Sequence, residues 1–281
     1  QSGGPTTAIN ASLAGVIKGC LESHEIDVLY GALNGVEGLM DERLVNLTDI
    51  FDHNEENLNV LKLTPAMYLG SCRRKLKDVD QDSSEYDIII NIFRKYHIHY
   101  FFYIGGNDSM DTVGKMSRYV KEHQMDVKVI GIPKTIDNDL VVTDHTPGFG
   151  SAARYVAASV LEMAHDTYIY NTKSVLIAEI MGRDAGWLTA ASVLARNSYS
   201  RAPHLIYLSE HPFSKEQFIE DIKAQFKQRE HIVIAVSEGL RDVDGHYISA
   251  ETAAVDAFGH ATLSGTGKCL EGLVAEKFGC K

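Results

Sequence analysis

The nine residues at positions 131–139 read GIPKTIDND and directly follow an apolar run, Val127–Ile130. Such a run is typical of a buried strand, so the polar loop is predicted to lie at a strand end. Asp137 and Asp139 are separated by one residue, and in an extended loop both carboxylates would face the same side. Together with Lys134 just upstream, they supply what phosphoryl transfer requires: charge for a phosphate, oxygens for a metal and a base for a hydroxyl. The alternative interpretation is an acidic turn exposed to solvent.

The overall composition limits the class of protein without naming it. With 281 residues, 44% of them hydrophobic and 23% charged, the chain can bury a core and is long enough for two domains. Its formal net charge of -11 argues against nucleic acid and against anionic membrane surfaces as partners. Positive charge for phosphates must therefore be local, and it is concentrated in the basic run Arg73–Lys75 and in Lys77. The alternative for this run is a charged face exposed to solvent.

The cysteines and the chain ends bear on the cellular setting. Four cysteines lie far apart, without the spacing of a zinc site: Cys20, Cys72, Cys269 and Cys280. We predict that they are free thiols of a cytoplasmic protein. We expect no membrane span, because no apolar stretch is long enough, and no signal peptide. Because the chain opens at Gln1 without a methionine and closes just after an apolar helical stretch, we expect a fragment truncated at both ends.

Strand and helix patterns alternate along most of the chain. The predicted helices are Thr7–Ser23, Asp87–Tyr96, Ser109–His123, Phe149–His165, Asp184–Arg196 and Ser214–Arg229. The predicted strands are Val28–Tyr30, Tyr100–Ile104, Val127–Ile130, Ser174–Ile180, Leu205–Leu208 and Ile232–Val236. This succession predicts an α/β fold with two Rossmann-like, three-layer αβα domains and mostly parallel sheets. Turn-forming residues at Thr146–Gly148 place the boundary there, giving domains 1–147 and 148–281, and the acidic segment Asp41–Glu56 is predicted to be an irregular surface excursion.

Two glycine loops in the first half precede predicted helices. Gly3 and Gly4 allow backbone amides to approach an anion at a helix N-terminus, although half of such turns are merely structural. The loop 105–109, GGNDS, follows a strand and precedes a helix, where Ser109 can donate to phosphate. Asn107 or Asp108 could offer an oxygen to Mg²⁺. The alternative for this second loop is a strand-to-helix turn with a helix cap.

Two strand ends in the second half carry further candidates. The segment Met181–Arg183 closes one strand, and its arginine could hold a substrate phosphate or orient a sugar hydroxyl. The alternative for Arg183 is a salt bridge to Glu179 or Asp184. Glu238 follows a neighbouring strand, where it could accept hydrogen bonds from hydroxyls or simply be a carboxylate at a helix end.

Taken together, these loops resemble those of the phosphofructokinase family. The matching segments follow the family's order and spacing from end to end of the chain: SGGPTTAIN (2–10), GSCRR (70–74), GGNDS (105–109), PKTIDND (133–139), MGR (181–183) and SEG (237–239). The pair TIDND and MGR is highly specific. The resemblance implies a Mg²⁺-dependent enzyme of glycolysis that phosphorylates the 1-hydroxyl of fructose 6-phosphate, with its active site in the cleft between the two domains.

The resemblance also implies roles for individual residues. Asp137 would accept the proton of the attacking hydroxyl, and Asp139 would assist the charge and metal balance. Arg73 would stabilise the moving phosphoryl group, and Gly4 would pack against the phosphoryl donor. Thr135 would line the sugar within the catalytic loop. The full set implied to bind the sugar phosphate is Thr135, Ile136, Asp137, Met181, Gly182, Arg183 and Glu238.

Two positions bear on the identity of the donor. Where ATP-using members of the family carry GGDGS and PGTIDND, this chain has Asp108 and Lys134 in place of glycines. A carboxylate adds bulk and negative charge where the nucleotide must pass, whereas an ammonium attracts a compact, highly charged donor. Both changes are those of the pyrophosphate-dependent branch. The resemblance therefore implies that pyrophosphate is the donor, bound with the help of Ser109, and that the reaction runs in both directions.

Three features depart from the family pattern or lie beyond it. Asn107 takes the place of the aspartate that usually serves Mg²⁺, so the metal is expected to rely also on Asp108, Asp137 or Asp139. Ser174 stands where many members have an arginine that reaches a neighbouring subunit's sugar phosphate. The basic cluster that completes the family's sugar-phosphate pocket is expected after the last residue. Since members usually share sites across subunits, a homodimer or homotetramer is expected.

The alternatives differ in class. An ATP-dependent phosphofructokinase would require Asp108 to swing clear. A noncatalytic regulatory paralogue of the same fold is disfavoured by the intact Asp137, Arg73 and Arg183. A kinase for a lipid or nucleotide that shares only the glycine loop does not account for MGR and TIDND. Another sugar phosphate remains an open substrate. The proposed enzyme requires the loops that carry Asp137, Arg73 and Arg183 to converge on a single cleft.

Overall fold

The computed structural model describes residues 1–249 and 265–280, apart from the side chain of Thr7. These residues form two compact units, Gln1–Thr135 and Ile136–Lys281. The elements of the first unit are α1 (Thr7–Leu21), β1 (Tyr30–Ala32), α2 (Gly35–Met40), β2 (Leu44–Asn46), α3 (Leu47–Phe51), α4 (Glu55–Leu63), α5 (Ser84–Lys95), β3 (Tyr100–Gly105), α6 (Asn107–Glu122) and β4 (Lys128–Pro133). The functional division into 1–147 and 148–281 stays a prediction.

In the first unit, helices cover both faces of a parallel strand pair. β3 and β4 run in parallel register from Tyr100 opposite Lys128 to Gly105 opposite Pro133. Alternate side chains of β3 enter different cores, because successive residues of a strand point to opposite faces. Tyr103 packs with apolar residues of α5 and α6, whereas Ile104 packs with those of α1. β1 and β2 form a separate antiparallel pair. The aligned ends of β3 and β4 place the loops that follow them at one edge.

The second unit repeats this arrangement around a three-stranded parallel sheet. Its elements are α7 (Phe149–Thr167), β5 (Ser174–Ile180), α8 (Trp187–Ala191), a 3₁₀ turn (Ser192–Ala195), β6 (Leu205–Tyr207), α9 (Lys215–Phe226), β7 (His231–Ser237) and α10 (Thr266–Phe278). β7 lies between β5 and β6 and is parallel to both. Ile234 of β7 packs with α9 and α10, whereas Val233 packs with α7. The predicted α/β class with parallel sheets is confirmed.

Two predicted elements are wrong in detail. The segment Asp41–Glu56 is not an irregular excursion, since it contains β2, α3 and the start of α4. Leu47 and Phe51 are buried there, so an acidic surface conceals a short amphipathic helix. The helix predicted over Asp184–Arg196 is confined to α8 and the following 3₁₀ turn. The backbone before Trp187 instead forms a loop that continues from Met181–Arg183.

The cysteines agree with the prediction of free thiols. All four cysteines are free thiols, and Cys20 and Cys72 are buried. Among the described helices, none is both long and apolar enough to cross a membrane.

Candidate functional site

The first unit brings three loops together around the glycines near the start of the chain. The backbone N–H of Gly3 donates to the carbonyl of Cys72 over 3.1 Å, and the hydroxyl of Ser71 donates to the carbonyl of Gly3 over 2.6 Å. The N–H of Ser2 donates to the carbonyl of Ile104 at the end of β3 over 2.9 Å. The glycine loop is therefore held by hydrogen bonds against both the loop that carries Arg73 and the end of β3.

The loop 105–109 closes against the same glycines. The hydroxyls of Ser2 and Ser109 share a hydrogen bond, and both residues are buried. A Cβ on Gly105 would lie 2.1 Å from Oγ of Ser109, so no larger residue fits there without displacing that hydroxyl. A Cβ on Gly3, whose φ is 82°, would lie 3.4 Å from the N of Gly106. At Gly105 a larger residue would collide with the hydroxyl of Ser109, whereas at Gly3 the positive φ favours glycine.

Lys134 brings positive charge to this loop cluster. Its backbone N–H donates to the carbonyl of Gly105 over 2.7 Å, which extends the pairing of β3 and β4 by one bond. A Cβ built on Gly4 would lie 3.9 Å from Nζ of Lys134, so the ammonium stands directly beside the glycine loop. The structure therefore gathers the four predicted donor-binding residues, Gly4, Asp108, Ser109 and Lys134, within the first unit.

The basic run after Gly70 is largely paired with carboxylates, so much of its positive charge is balanced within the protein. Nε of Arg74 donates to Glu85 over 2.8 Å, and this hydrogen bond raises the pKa of Arg74 above its usual value. Lys77 pairs with Asp82 at 2.9 Å. Lys75 pairs with Asp108 at 3.0 Å across the neighbouring loop. Arg73, the predicted catalytic arginine, is exposed.

The TIDND loop is not extended, so the argument that Asp137 and Asp139 alternate onto one side is wrong. Asn138 between them has a left-handed φ of 61°, which breaks the alternation of an extended chain. Asp137 is half-buried and Asp139 is exposed. The side chain of Asn138 is buried, its Nδ2 donating to the carbonyl of Asp144 over 3.1 Å and its Oδ1 accepting from the N–H of Thr146 over 2.8 Å. Asn138 therefore clamps the loop that carries both acids.

Replacing Asn138 with alanine is expected to lower the free energy of unfolding by about 2–4 kcal/mol, because the buried side chain loses two hydrogen bonds and alanine tolerates a positive φ less well than asparagine. Urea denaturation of the purified variant measures this change. Asn138→Gly is the matched control: it loses the same hydrogen bonds but tolerates the backbone conformation, so it should be less destabilising by about 1 kcal/mol. Equal stability of both variants and the wild type would contradict the clamp.

The second unit joins Met181–Arg183 to Glu238. Ile180 and Ser237 are partners in the register of β5 and β7, so the loops after them are adjacent. Oε1 of Glu238 accepts the N–H of Gly182 over 3.1 Å, and the hydroxyl of Ser237 donates to the carbonyl of Gly182 over 2.6 Å. A Cβ on Gly239 would lie 1.7 Å from the carbonyl oxygen of Arg183. Glycine at 239 therefore permits the two loops to touch.

The side chains in this second cluster face solvent. Met181 is 56% exposed, and Arg183 is exposed as well. The two carboxylates considered as salt-bridge partners of Arg183 make other contacts. Asp184 pairs with Arg241, and Glu179 accepts the N–H groups of Gly265 and Gly267. Within residues 1–249 and 265–280, Arg183 has no salt bridge.

Ile136 connects the TIDND loop to the core of the second unit. It packs against the apolar cluster formed by Ile180, Leu188 and Ala235. Since Ile180 is the last residue of β5, the start of the TIDND loop lies near the strand end that carries Met181 and Arg183. The predicted sugar-phosphate residues of this unit therefore share one end of its sheet.

Several contributors to these loops were missed or undervalued in the sequence. Ser71 lies inside a matched motif, but nothing in the pattern indicates that its hydroxyl binds the carbonyl of Gly3. The pairing of Lys75 with Asp108 likewise joins residues 33 positions apart, and only the fold brings them together. Ser174, at the position of the missing arginine, is buried and hydrogen-bonded to Nδ1 of His231 at 2.9 Å. It therefore serves the sheet rather than a ligand.

A metal ion could be held in either of two regions of the described chain. Asn107 and Asp108, in the first turn of α6, offer the carbonyl and carboxylate oxygens that Mg²⁺ prefers. The second region is an exposed group of Asp242, Asp244 and His246. There, Oδ1 of Asp242 already accepts the N–H groups of Asp244 and His246, each over 2.9 Å, which accounts for the cluster as a turn.

Comparison with known proteins agrees with this description. Glycine loops and acids at the carboxyl ends of parallel strands characterise α/β proteins that handle phosphate groups. More specifically, the chain belongs to the phosphofructokinase family, whose model (Phosphofructokinase) matches residues 1–281. The family resemblance drawn from the motifs is confirmed.

The relatives carry a consistent name. The pyrophosphate–fructose 6-phosphate 1-phosphotransferase of Halomonas elongata is 39% identical over 284 aligned residues, covering 100% of this chain and 67% of the relative. Its counterpart in Xanthomonas campestris is 41% identical and covers 100% and 66%. The crystal structure of a pyrophosphate-dependent phosphofructokinase from Marinobacter aquaeolei superposes with a TM-score of 0.80 at 36% identity, covering 100% of this chain and 65% of that one. The chain thus spans about two thirds of the length of these relatives.

Proposed function

We propose that this chain belongs to an enzyme that transfers a phosphoryl group from pyrophosphate to the 1-hydroxyl of fructose 6-phosphate. The single observation that carries the choice of donor is the ammonium of Lys134 beside Gly4, next to a glycine loop that presents Asp108. A compact anion gains from that ammonium, whereas a nucleotide would meet the added carboxylate. The names of the relatives support the same donor and acceptor. The reaction would operate in glycolysis and run in both directions.

In the proposed reaction, the oxygen of the 1-hydroxyl attacks the near phosphorus of pyrophosphate. A new O–P bond forms, the bridging P–O bond breaks, and orthophosphate leaves with the electrons of that bond. Asp137 accepts the hydroxyl proton, and Asp139 assists the charge balance. Arg73 stabilises the negative charge of the moving phosphoryl group. Such catalysis consists mostly of positioning and electrostatic stabilisation, which suits a set of charged groups held on clamped loops.

Binding of fructose 6-phosphate is assigned to residues at the end of the second unit's sheet and to the TIDND loop. Arg183 meets the sugar phosphate, since its guanidinium is exposed and has no carboxylate partner among the described residues. Glu238 accepts hydrogen bonds from sugar hydroxyls through the oxygen that Gly182 does not use. Thr135, Ile136, Met181 and Gly182 line the sugar.

Mg²⁺ is the proposed metal, since the donor set contains only oxygen. Asn107 and Asp108 would hold it. When bound, the ion neutralises charge on the phosphates. We further propose a cytoplasmic homodimer or homotetramer.

A coupled assay of the purified protein with pyrophosphate and with ATP, side by side, tests this proposal. We expect formation of fructose 1,6-bisphosphate with pyrophosphate and little with ATP, and the reverse reaction with orthophosphate. Activity with ATP alone would favour the ATP-dependent alternative. Binding of fructose 6-phosphate without turnover on either donor would instead favour the noncatalytic paralogue.

A further inference from the structure

The ion pair between Lys75 and Asp108 joins a loop to the first turn of a helix at the candidate donor site. Nζ of Lys75 lies 3.0 Å from Oδ1 of Asp108, and about half of each side chain is exposed. Asp108 is the residue whose carboxylate distinguishes this chain from the glycine of ATP-using relatives. Its charge is therefore not presented alone to a ligand, because a cation accompanies it.

The backbone around Lys75 is anchored, which distinguishes this pair from an ordinary surface ion pair. Cys72 and Leu76, on either side of it, are buried in the same apolar core as α5 and α6. Lys115, two turns along α6 from Asp108, donates from Nζ to the carbonyl of Leu76 over 3.0 Å. Loop and helix are thus fastened together independently of the ion pair. Surface pairs are usually weak because both side chains must be immobilised, and a fixed frame reduces that cost.

Two other cations of the basic run are held by other carboxylates. Arg74 is bound to Glu85, and Lys77 is bound to Asp82. Lys75, by contrast, contacts Asp108.

We infer that Lys75 is a specificity-determining positioning residue: it holds Asp108 in place and cancels its charge. This inference rests on the proposed function. Asp108 then excludes a nucleotide by its bulk alone, while pyrophosphate, with several negative charges of its own, is not repelled. Without Lys75, the carboxylate would repel the donor that Lys134 attracts, because like charges a few ångströms apart interact unfavourably even at high dielectric.

Kinetics with Lys75→Met test the inference. Methionine is unbranched and nearly as long as lysine, but it carries no charge. We expect KM for pyrophosphate to rise about ten-fold, equivalent to about 1.4 kcal/mol, with little change in kcat or in KM for fructose 6-phosphate. Lys75→Arg should restore KM. Lys121→Met, in the last turn of the same helix α6, is the matched control and should leave all constants unchanged.

The double variant Lys75→Met with Asp108→Asn separates the two possible actions of the lysine. Asp108 also belongs to the proposed donor and metal site, so the double variant is compared with Asp108→Asn alone. If Lys75 acts through Asp108, Lys75→Met should raise KM for pyrophosphate much less in the Asp108→Asn background than in the wild-type background. An increase of the same size in both backgrounds would mean that Lys75 binds pyrophosphate directly, and an unchanged KM in Lys75→Met would mean that it has no part in donor choice; either overturns the inference. Absence of pyrophosphate turnover in the wild type would instead overturn the proposed function.

Discussion

Replacing Asp137 with serine is expected to lower kcat with pyrophosphate by about 10²–10⁴-fold, the usual range for loss of a general base. KM for fructose 6-phosphate should stay close to the wild-type value, because Asp137 is proposed to act on the hydroxyl proton and Arg183 and Glu238 to hold the sugar phosphate. Serine leaves the clamp at Asn138 intact, since that clamp uses only the amide side chain and the backbone of Asp144 and Thr146. Steady-state kinetics with saturating pyrophosphate measures both constants.

The matched control for this experiment is Asp144→Ser. Asp144 is an exposed acid of the same loop, and its backbone carbonyl, which accepts from Asn138, is kept in the variant. The control should retain normal turnover. Turnover within a few-fold of wild type in Asp137→Ser would remove the assignment of Asp137 as the base, and a loss of sugar-phosphate binding would indicate a binding role instead.

The sequence predicted the fold best where a mostly apolar run forms a strand. The strand Ser174–Ile180 was predicted with its observed limits, because such a run ends at the turn around Gly182. The segment Asp41–Glu56 was mispredicted because its helices are short and lie among acidic residues, and burial of a residue such as Leu47 depends on contacts with α1. Local composition carries no signal for such contacts. Tertiary packing decides short elements of this kind.

The candidate site was predictable at the level of loops but not of side-chain partners. Parallel strands end at a common edge, so the gathering of Gly105 and Lys134 follows from topology alone. By contrast, the left-handed conformation of Asn138 overturned the expected alignment of the two acids around it. The neutralising partner of Asp108 was also hidden, because Lys75 lies in another loop. Such pairings between side chains of different loops become visible only in the folded structure.

The double replacement of Asp108 and Lys134 by glycine is expected to reverse the preference for the donor. Loss of the ammonium beside Gly4 removes a charge-assisted contact worth about 1.5–3 kcal/mol, so kcat/KM for pyrophosphate should fall about 10- to 100-fold. Loss of the Asp108 side chain clears space at the first turn of α6, so kcat/KM for ATP should rise. The ratio of the two specificity constants, measured in one preparation, reports the change and cancels any difference in the active fraction.

The single variants show how the two substitutions share this effect. Lys134→Gly should act mainly by weakening pyrophosphate, whereas Asp108→Gly should act mainly by admitting ATP, because one residue supplies attraction and the other bulk. Asp108→Asn provides the sharper comparison: it keeps the bulk and removes the charge, so ATP should remain excluded if exclusion is steric. Use of ATP by Asp108→Asn at the level of Asp108→Gly would show that charge, not size, selects the donor. An unaltered donor ratio in the double variant would contradict the role proposed for both positions.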